Sequence, residues 1–129
     1  MIFGIGTDIV AVARIEAAMQ RHGEAFAQKI LSVQELPEFA AHSQPARFLA
    51  KRFAAKEAFA KATGLGLRHP VTLHHISVIH DSLGKPAFQF DATLAAHLQQ
   101  LGVTQHHLSL SDEREMVVAY VVLEGRPVL

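Results

Sequence analysis

The stretch Phe53-Ala-Ala-Lys-Glu-Ala-Phe-Ala-Lys-Ala-Thr-Gly-Leu-Gly66 decides the fold that this sequence predicts. Its alanine-rich run predicts a helix, and its two glycines predict the end of that helix, since glycine readily adopts the left-handed conformation that stops the turn. Followed outward, the helical pattern extends back to Pro45, so we expect one long helix from about Pro45 to Thr63.

The charged residues of this helix lie on one face. Glu57 and Lys61 are four residues apart, a spacing that most often marks a surface ion pair contributing a few tenths of a kcal/mol. At roughly 100° per residue, Arg47 and Lys51 fall in the same arc of about 120°, while apolar side chains occupy most of the remaining circumference. Three cations and one carboxylate along about 21 Å suit an elongated polyanion, and a solvated basic strip is an equal alternative.

A second isolated carboxylate occurs near the N-terminus. Met1–Val10 predicts a buried strand interrupted by Gly4 and Gly6, with Asp8 in the apolar run. Asp8 alone suits a turn cap at a strand end, but a charge in a strand core costs several kcal/mol unless it is paired or binds a metal. With Glu57 as a second carboxylate, a shared hard cation becomes a rival interpretation. Oxygen ligands and the absence of cysteine favour magnesium over zinc.

Four motifs carry a resemblance to a known family. They are Gly6-Thr-Asp-Ile-Val10 with Arg14-Ile15, Arg52-Phe-Ala-Ala-Lys-Glu-Ala58 with Lys61-Ala62 and Gly64-Leu-Gly66, Leu83-Gly-Lys-Pro86, and Leu108-Ser-Leu-Ser-Asp-Glu113. Together they resemble holo-(acyl-carrier-protein) synthase, the small bacterial family of 4′-phosphopantetheinyl transferases, over residues 2–123. Many members have Ser-x-Ser-His where this chain has Ser109-Leu-Ser-Asp112, so no role of that histidine transfers to Asp112.

The resemblance implies an activity and a set of site residues. It implies transfer of the phosphopantetheine arm of coenzyme A to a serine of an acyl carrier protein, with Mg²⁺ held by Asp8 and Glu57. Glu57, directly or through a water, is the candidate acceptor of the serine proton. Lys61 would contact phosphate, and Arg14 would meet the carrier protein. The remaining coenzyme A candidates are Arg47, Lys51, Arg52, Gly64, Gly66 and Pro86. The family is typically a trimer with active sites between subunits.

Composition limits the function classes further. With 129 residues, half of them apolar, the chain predicts a single domain over 1–129. A formal net charge of zero disfavours nucleic-acid binding, which normally needs a basic surface. No cysteine is available for disulfides or thiolate chemistry, and no signal segment or long apolar run predicts a membrane association. The cytoplasm is the expected location.

The remaining pattern predicts an α+β fold, with a short antiparallel sheet packed with the long central helix. We expect helix from Arg14 to about Leu31, broken near Gly23, and a short helix and loop over 32–43. The predicted strands are 76–80, 87–90, 108–111 and 116–123, with a helix capped by Asp91 and ending near Gly102.

Alternative functions are less well supported by the sequence. Nine histidines include two adjacent pairs, but neighbours in a strand point to opposite faces, so structural or surface roles are expected. Ser109, Ser111 and Asp112 lack the Gly-x-Ser-x-Gly elbow of a hydrolase. A non-catalytic coenzyme A or nucleotide-binding module on the same fold is the main rival. Two carboxylates disfavour it, since they oppose polyanion binding unless a cation intervenes. A purely structural trimer would give Glu57 and Lys61 no role.

Overall fold

The computed structural model describes residues 1–126, in which five α-helices and five β-strands follow one another along the chain. They are β1 (Ile2–Ala11), α1 (Val12–His22), α2 (Glu24–Ile30), α3 (Leu36–Ala41), α4 (Pro45–Thr63), β2 (Ile76–His80), β3 (Pro86–Phe90), α5 (Ala92–Leu101), β4 (Val103–Asp112) and β5 (Met116–Gly125). The α+β class is confirmed. The single domain over 1–129 stays a prediction, and residues 127–129 lie outside the described part.

The strands are antiparallel, as the sequence predicts, and they form two sheets. One sheet has the order β1-β5-β4, and the other is the two-stranded hairpin β2-β3. In the larger sheet all three strands are ten residues long. Strand β4 begins at Val103 and not at Leu108, because its first residues are mainly polar yet still pair with β5; Gln105 and His107 are exposed, whereas His106 is partly buried. Sequence periodicity alone did not indicate that extension.

Helix α4 lies across the inner face of the larger sheet and contacts β1 and β5. Its predicted bounds, Pro45 to Thr63, are confirmed: Pro45 stands at the first turn, and Gly64 follows with φ of 81°. Twelve of its nineteen residues are buried, which explains an alanine-rich helix with apolar side chains on most sides. Helix α4 therefore lies within the hydrophobic core and not on its surface.

Glycine allows β1 to approach α4 closely. A Cβ atom on Gly4 would lie 2.0 Å from the carbonyl oxygen of Ala62, and one on Gly6 would lie 1.9 Å from that of Ala58. The two predicted interruptions of β1 are thus positions at which strand and helix backbones touch. This contact brings the second half of α4 beside Asp8.

The prediction that β1 is buried is wrong for one of its two faces. Val10 is buried against the core, whereas Ile5 is 57% and Ile9 60% exposed. On the neighbouring strand β5, Tyr120 is 43% exposed and pairs with Thr7. An apolar run cannot indicate which face the rest of its own chain covers, and here the outer face of the sheet remains open.

The hairpin β2-β3 and helix α5 complete the core. Phe88 and Phe90 of β3 pack on Phe59 of α4, with ring centroids 5.2 and 4.9 Å away. Asp91 caps α5 as predicted, since its carboxylate accepts a hydrogen bond from the backbone N–H of Leu94 at 2.9 Å. Within residues 1–126, no helix combines the length and apolar character needed to cross a bilayer.

Candidate active site

Asp8 and Lys61 come together where β1 passes the second half of α4. The ammonium of Lys61 lies 3.2 Å from Oδ1 of Asp8 and donates to the carbonyl of Thr7 at 3.0 Å. Asp8 is largely covered, whereas the side chain of Lys61 is about half exposed. Lys61 therefore contacts Asp8 and Thr7 with only some of its N–H donors, and the rest of its side chain remains accessible to solvent.

Glu57 lies in the same group, one turn before Lys61. Partial burial raises the pKa of the Glu57 carboxyl, and the negative charge of Asp8 raises it further. The cations of Lys61 and Arg14 oppose this rise without cancelling it. Two carboxylates and two cations from β1, α1 and α4 thus influence one another, which gathers four predicted site residues in one place.

The two carboxylates fit the predicted magnesium ion. Asp8 and Glu57 offer oxygen ligands, and the pKa of Glu57 is raised first by burial and then by the charge of Asp8, so a cation between the two would be stabilising. Within the described residues, no group of three or more His, Cys, Asp or Glu side chains is arranged to hold a metal. Two carboxylates nevertheless suit Mg²⁺, which is commonly held by one or two protein carboxylates together with substrate phosphates.

Arg47 and Lys51 belong to a second group, near the start of α4. Arg47 donates to Asp112 at 2.7 Å and to the backbone carbonyls of Glu113 and Arg114 at 2.8 and 2.6 Å. Lys51 lies 3.4 Å from the other oxygen of Asp112. The cations predicted along one face of α4 therefore fall into two groups, and Asp112 contacts both cations of the second group.

The glycines and the proline of the predicted coenzyme A site lie in turns. Gly64 and Gly66 both have positive φ, 81° and 70°, and their Cβ positions face open space. They end α4 three and five residues after Lys61, so exposed backbone adjoins that lysine. Pro86 begins β3 and pairs with His80 across the hairpin. The roles of these three residues in binding stay predictions.

A cleft of about 410 Å³ adjoins the second basic group. Lys51, Arg52 and His80 contribute to its lining, with Phe48 and Leu110 among its apolar members. Another cleft, of about 420 Å³, lies between α1 and the first turn of α4. Neither lining includes Asp8, Glu57 or Lys61. In a single chain the two carboxylates thus lie apart from both clefts.

Comparison with known proteins decides the family. The family model described as the 4′-phosphopantetheinyl transferase superfamily matches residues 4–121. The chain belongs to this superfamily. The holo-[acyl-carrier-protein] synthase of Nitrosospira multiformis is 56% identical over 124 residues, covering 96% of this chain and 99% of that protein. The protein of the same name from Nitrosomonas europaea is 57% identical over 124 residues, with the same coverage.

Solved structures confirm the fold predicted from the family resemblance. The crystal structure of holo-[acyl-carrier-protein] synthase from Neisseria meningitidis has a TM-score of 0.94 and 49% identity, covering 96% of this chain and 99% of that one. A Bacillus anthracis holo-(acyl-carrier-protein) synthase in complex with CoA (3′,5′-ADP) has a TM-score of 0.80 and 36% identity, covering 98% and 99%. The transferase family therefore accounts for nearly the whole chain.

Within this family fold, Arg52 differs from the other basic candidates because it is buried. Its guanidinium lies 3.0 Å from Glu35 and 3.1 Å from Glu38, donates to the carbonyl of Val78 and stacks on Phe48. These contacts already use donors that a phosphate would need. The structure thus gives Arg52 an interior role, which weighs against its predicted contact with coenzyme A.

Sequence reasoning missed Glu35, the partner of Arg52. Glu35 is 2% exposed and lies 2.5 Å from the ammonium of Lys56, which also donates to the carbonyls of Ile30 and Leu73. These three acceptors match the three N–H donors of an ammonium. Burial lowers the pKa of Lys56, and the charge of Glu35 opposes that decrease. Burial raises the pKa of Glu35, but Lys56 and backbone N–H groups outweigh it and hold this pKa below its ordinary value. The partners of Glu35 in α4 lie 17 and 21 residues away, so no local pattern indicated them.

Proposed function

We propose that this chain transfers the 4′-phosphopantetheine arm of coenzyme A to the serine hydroxyl of an apo acyl carrier protein. The observation that carries the proposal is the meeting of Asp8, Glu57 and Lys61, which come from two separate motifs of the family, at one surface. The matched relatives bear the name of this activity over almost the full chain. The products would be holo acyl carrier protein and adenosine 3′,5′-bisphosphate.

In the proposed reaction the serine oxygen forms a bond to the β-phosphorus of coenzyme A. The bond between that phosphorus and the leaving nucleotide breaks, and the serine proton must be accepted. Glu57 is the candidate acceptor, directly or through a water, and burial and the charge of Asp8 raise its pKa while no cation is bound. A cation held by Glu57 would lower its basicity, so the route through a water is favoured. When bound, Mg²⁺ would neutralise phosphate oxygens and stabilise the departing nucleotide.

Lys61 would serve charge neutralisation. Its ammonium is anchored on Asp8 and Thr7 but remains about half exposed, so it can also donate to a phosphate oxygen. Phosphoryl transfer depends mainly on positioning and on electrostatic stabilisation of the transition state. We propose that Lys61 contributes to this electrostatic stabilisation. We also propose that Gly64 and Gly66 allow the nucleotide to approach the adjoining backbone.

We further propose that the working enzyme is a homotrimer with active sites between subunits. The outer face of the larger sheet exposes Ile5, Ile9 and Tyr120, an apolar surface that a second copy of the chain would cover. A site between subunits would also place the carboxylates of one copy beside the cleft that contains Lys51 of another. As acyl carrier protein is the acceptor, the proposed setting is fatty acid biosynthesis in the cytoplasm.

A mixing experiment tests the shared site. Asp8→Asn and Lys51→Glu should each have low activity as homotrimers. After unfolding and refolding together, the mixture should recover part of the wild-type activity, because some sites then combine an intact carboxylate group with an intact Lys51. A wild-type chain that is monomeric by light scattering, or a mixture no more active than its components, would contradict the proposal.

The transferase proposal itself is tested by the mass of the acceptor. The wild-type chain is incubated with apo acyl carrier protein, coenzyme A and Mg²⁺, and the carrier protein is then measured by intact mass spectrometry. We expect the carrier mass to increase by one phosphopantetheine arm, and a carrier whose acceptor serine is replaced by alanine should stay unchanged. Binding of coenzyme A without any mass increase would favour the non-catalytic binding module.

A further inference from the structure

The position of the hairpin β2-β3 depends on contacts with other parts of the protein. The hairpin has only two strands, and an isolated two-stranded hairpin is marginally stable in water. Val78 and Phe88 face each other across it. Each backbone N–H of this pair is bonded to a side chain from outside the hairpin. The hydrogen bonds that the rest of the protein makes to the two edges therefore help to fix the position of the hairpin.

Glu35 and Arg52 hold the edge formed by β2. Glu35 accepts a hydrogen bond from the N–H of Val78 at 2.9 Å, and Arg52 donates to the carbonyl of the same residue. Glu35 and Arg52 are themselves paired at 3.0 Å and are both almost fully buried. Together they occupy both backbone groups of Val78, as a neighbouring strand would.

His106 of β4 holds the opposite edge. Its Nε2 accepts a hydrogen bond from the backbone N–H of Phe88 at 3.0 Å, and its ring lies 5.4 and 5.3 Å from the rings of Phe88 and Phe90. An accepting Nε2 requires a neutral imidazole with its proton on Nδ1. In agreement, burial lowers the pKa of His106, and the neighbouring His107 lowers it further.

The position of the hairpin matters because one end of it forms a wall of the cleft beside Lys51. His80, the last residue of β2, lies two residues beyond Val78 and lines this cleft together with Lys51 and Arg52. A shift of the hairpin relative to α4 would therefore move His80 relative to Lys51. It would leave the contact between Asp8 and Lys61 in place, since neither residue belongs to the hairpin.

We infer that Glu35, Arg52 and His106 are positioning residues that hold the β2-β3 hairpin from both edges, as a clamp, and thereby set the shape of the cleft beside Lys51, which would take coenzyme A. This inference rests on the proposed function for the ligand of the cleft, but the clamp itself is independent of it. None of the three residues needs to touch substrate. Loss of the clamp should therefore weaken coenzyme A binding more than it slows the chemical step.

The test compares two substitutions of His106. His106→Phe keeps an aromatic ring but removes the acceptor, whereas the amide oxygen of His106→Gln can take the place of Nε2. In His106→Phe we expect hydrogen exchange at the Phe88 amide to be about three- to tenfold faster, the scale of one lost hydrogen bond. We expect the Kd for coenzyme A, measured by calorimetry, to rise by a similar factor, with the rate at saturating substrate within twofold of wild type. His106→Gln should restore both values.

Two results would overturn the inference. One is unchanged exchange across 76–90 in His106→Phe. The other is an equal effect of both substitutions, which would indicate general destabilisation. If His106→Phe does not fold, the wild-type chain still decides: nitrogen NMR should show the Nδ1–H tautomer of His106, and an Nε2–H or charged ring would refute the clamp. A wild-type chain without transferase activity would refute the proposed function, while exchange and tautomer would still report on the clamp.

Discussion

Gly6→Ala should separate the two halves of the candidate active site. A Cβ atom at position 6 would lie 1.9 Å from the carbonyl oxygen of Ala58 and 2.7 Å from the backbone nitrogen of Ala62. Ordinary contact begins near 3.4 Å, so strand and helix must move apart by about 1.5 Å. Both atoms belong to the backbone of α4, so no side-chain rotation can relieve the clash.

The displacement acts directly on the three residues that we propose as catalytic. β1 carries Asp8, whereas α4 carries Glu57 and Lys61. A misplacement of about 1 Å can cost on the order of 100-fold in rate, so we expect kcat/KM for transfer to fall by about two orders of magnitude. Overpacking of this kind costs about 1–3 kcal/mol of the 5–15 kcal/mol that typically stabilises a domain. The variant should therefore fold and lose activity.

The assay measures the transfer rate by intact mass of the carrier protein, and the free energy of unfolding by denaturant titration. Gly23→Ala is the control, because the Cβ position of Gly23 faces open space, although Gly23, unlike Gly6, has a positive φ of 59°. It should lower stability by about 1–2 kcal/mol through backbone strain and keep its activity. A destabilised Gly6→Ala variant with near wild-type kcat/KM, or a Gly23→Ala variant equally inactive, would refute the reasoning.

Three further predictions concern the charges around the site. Burial and Asp8 raise the pKa of Glu57 while no cation is bound, so protons should compete with Mg²⁺ for this carboxylate. The Mg²⁺ concentration that gives half-maximal transfer should therefore rise as pH decreases through a value above that of an ordinary glutamate, and a Mg²⁺ requirement that does not change with pH in that range would contradict the coupling. Lys61→Met should weaken coenzyme A binding by no more than about 3 kcal/mol in calorimetry, and unchanged affinity would return Lys61 to a surface ion pair. Arg14→Glu should raise the KM for carrier protein and leave coenzyme A binding nearly intact. The defect relative to wild type should become smaller in high salt, since salt screens this contact. Disrupted coenzyme A binding with normal carrier recognition would give Arg14 another role.

The parts of the fold with local signals were predictable. Helix α4 has proline in its first turn and glycine after its last residue, so both of its ends could be placed from sequence. Asp91 and Gly102 mark the ends of α5 in the same way. The division into two sheets was not predictable, because it depends on which strands pair across long separations. Nor does the apolar sequence of β1 indicate that one of its faces is open.

The residues of the candidate site were likewise predictable only where the sequence carried a local signal. Asp8, Glu57 and Lys61 were indicated by charge in apolar surroundings and by the family motifs, and the structure brings them together. Glu35 carried no such signal, because its short helical segment looks like an ordinary polar connection. Its role arises only from tertiary contacts with α4 and β2.

The magnesium dependence of transfer tests the central claim, that Asp8 and Glu57 together form the reaction centre. Initial rates are measured against Mg²⁺ concentration for the wild-type chain, Asp8→Asn, Glu57→Gln and the control Glu24→Gln, which changes an exposed carboxylate on α2. We predict that EDTA abolishes transfer by the wild-type chain and that Mg²⁺ restores it. The control should follow the wild-type curve, and both site variants should stay folded with little activity at any Mg²⁺ concentration. Full transfer in EDTA, or wild-type rates in both site variants, would contradict the account.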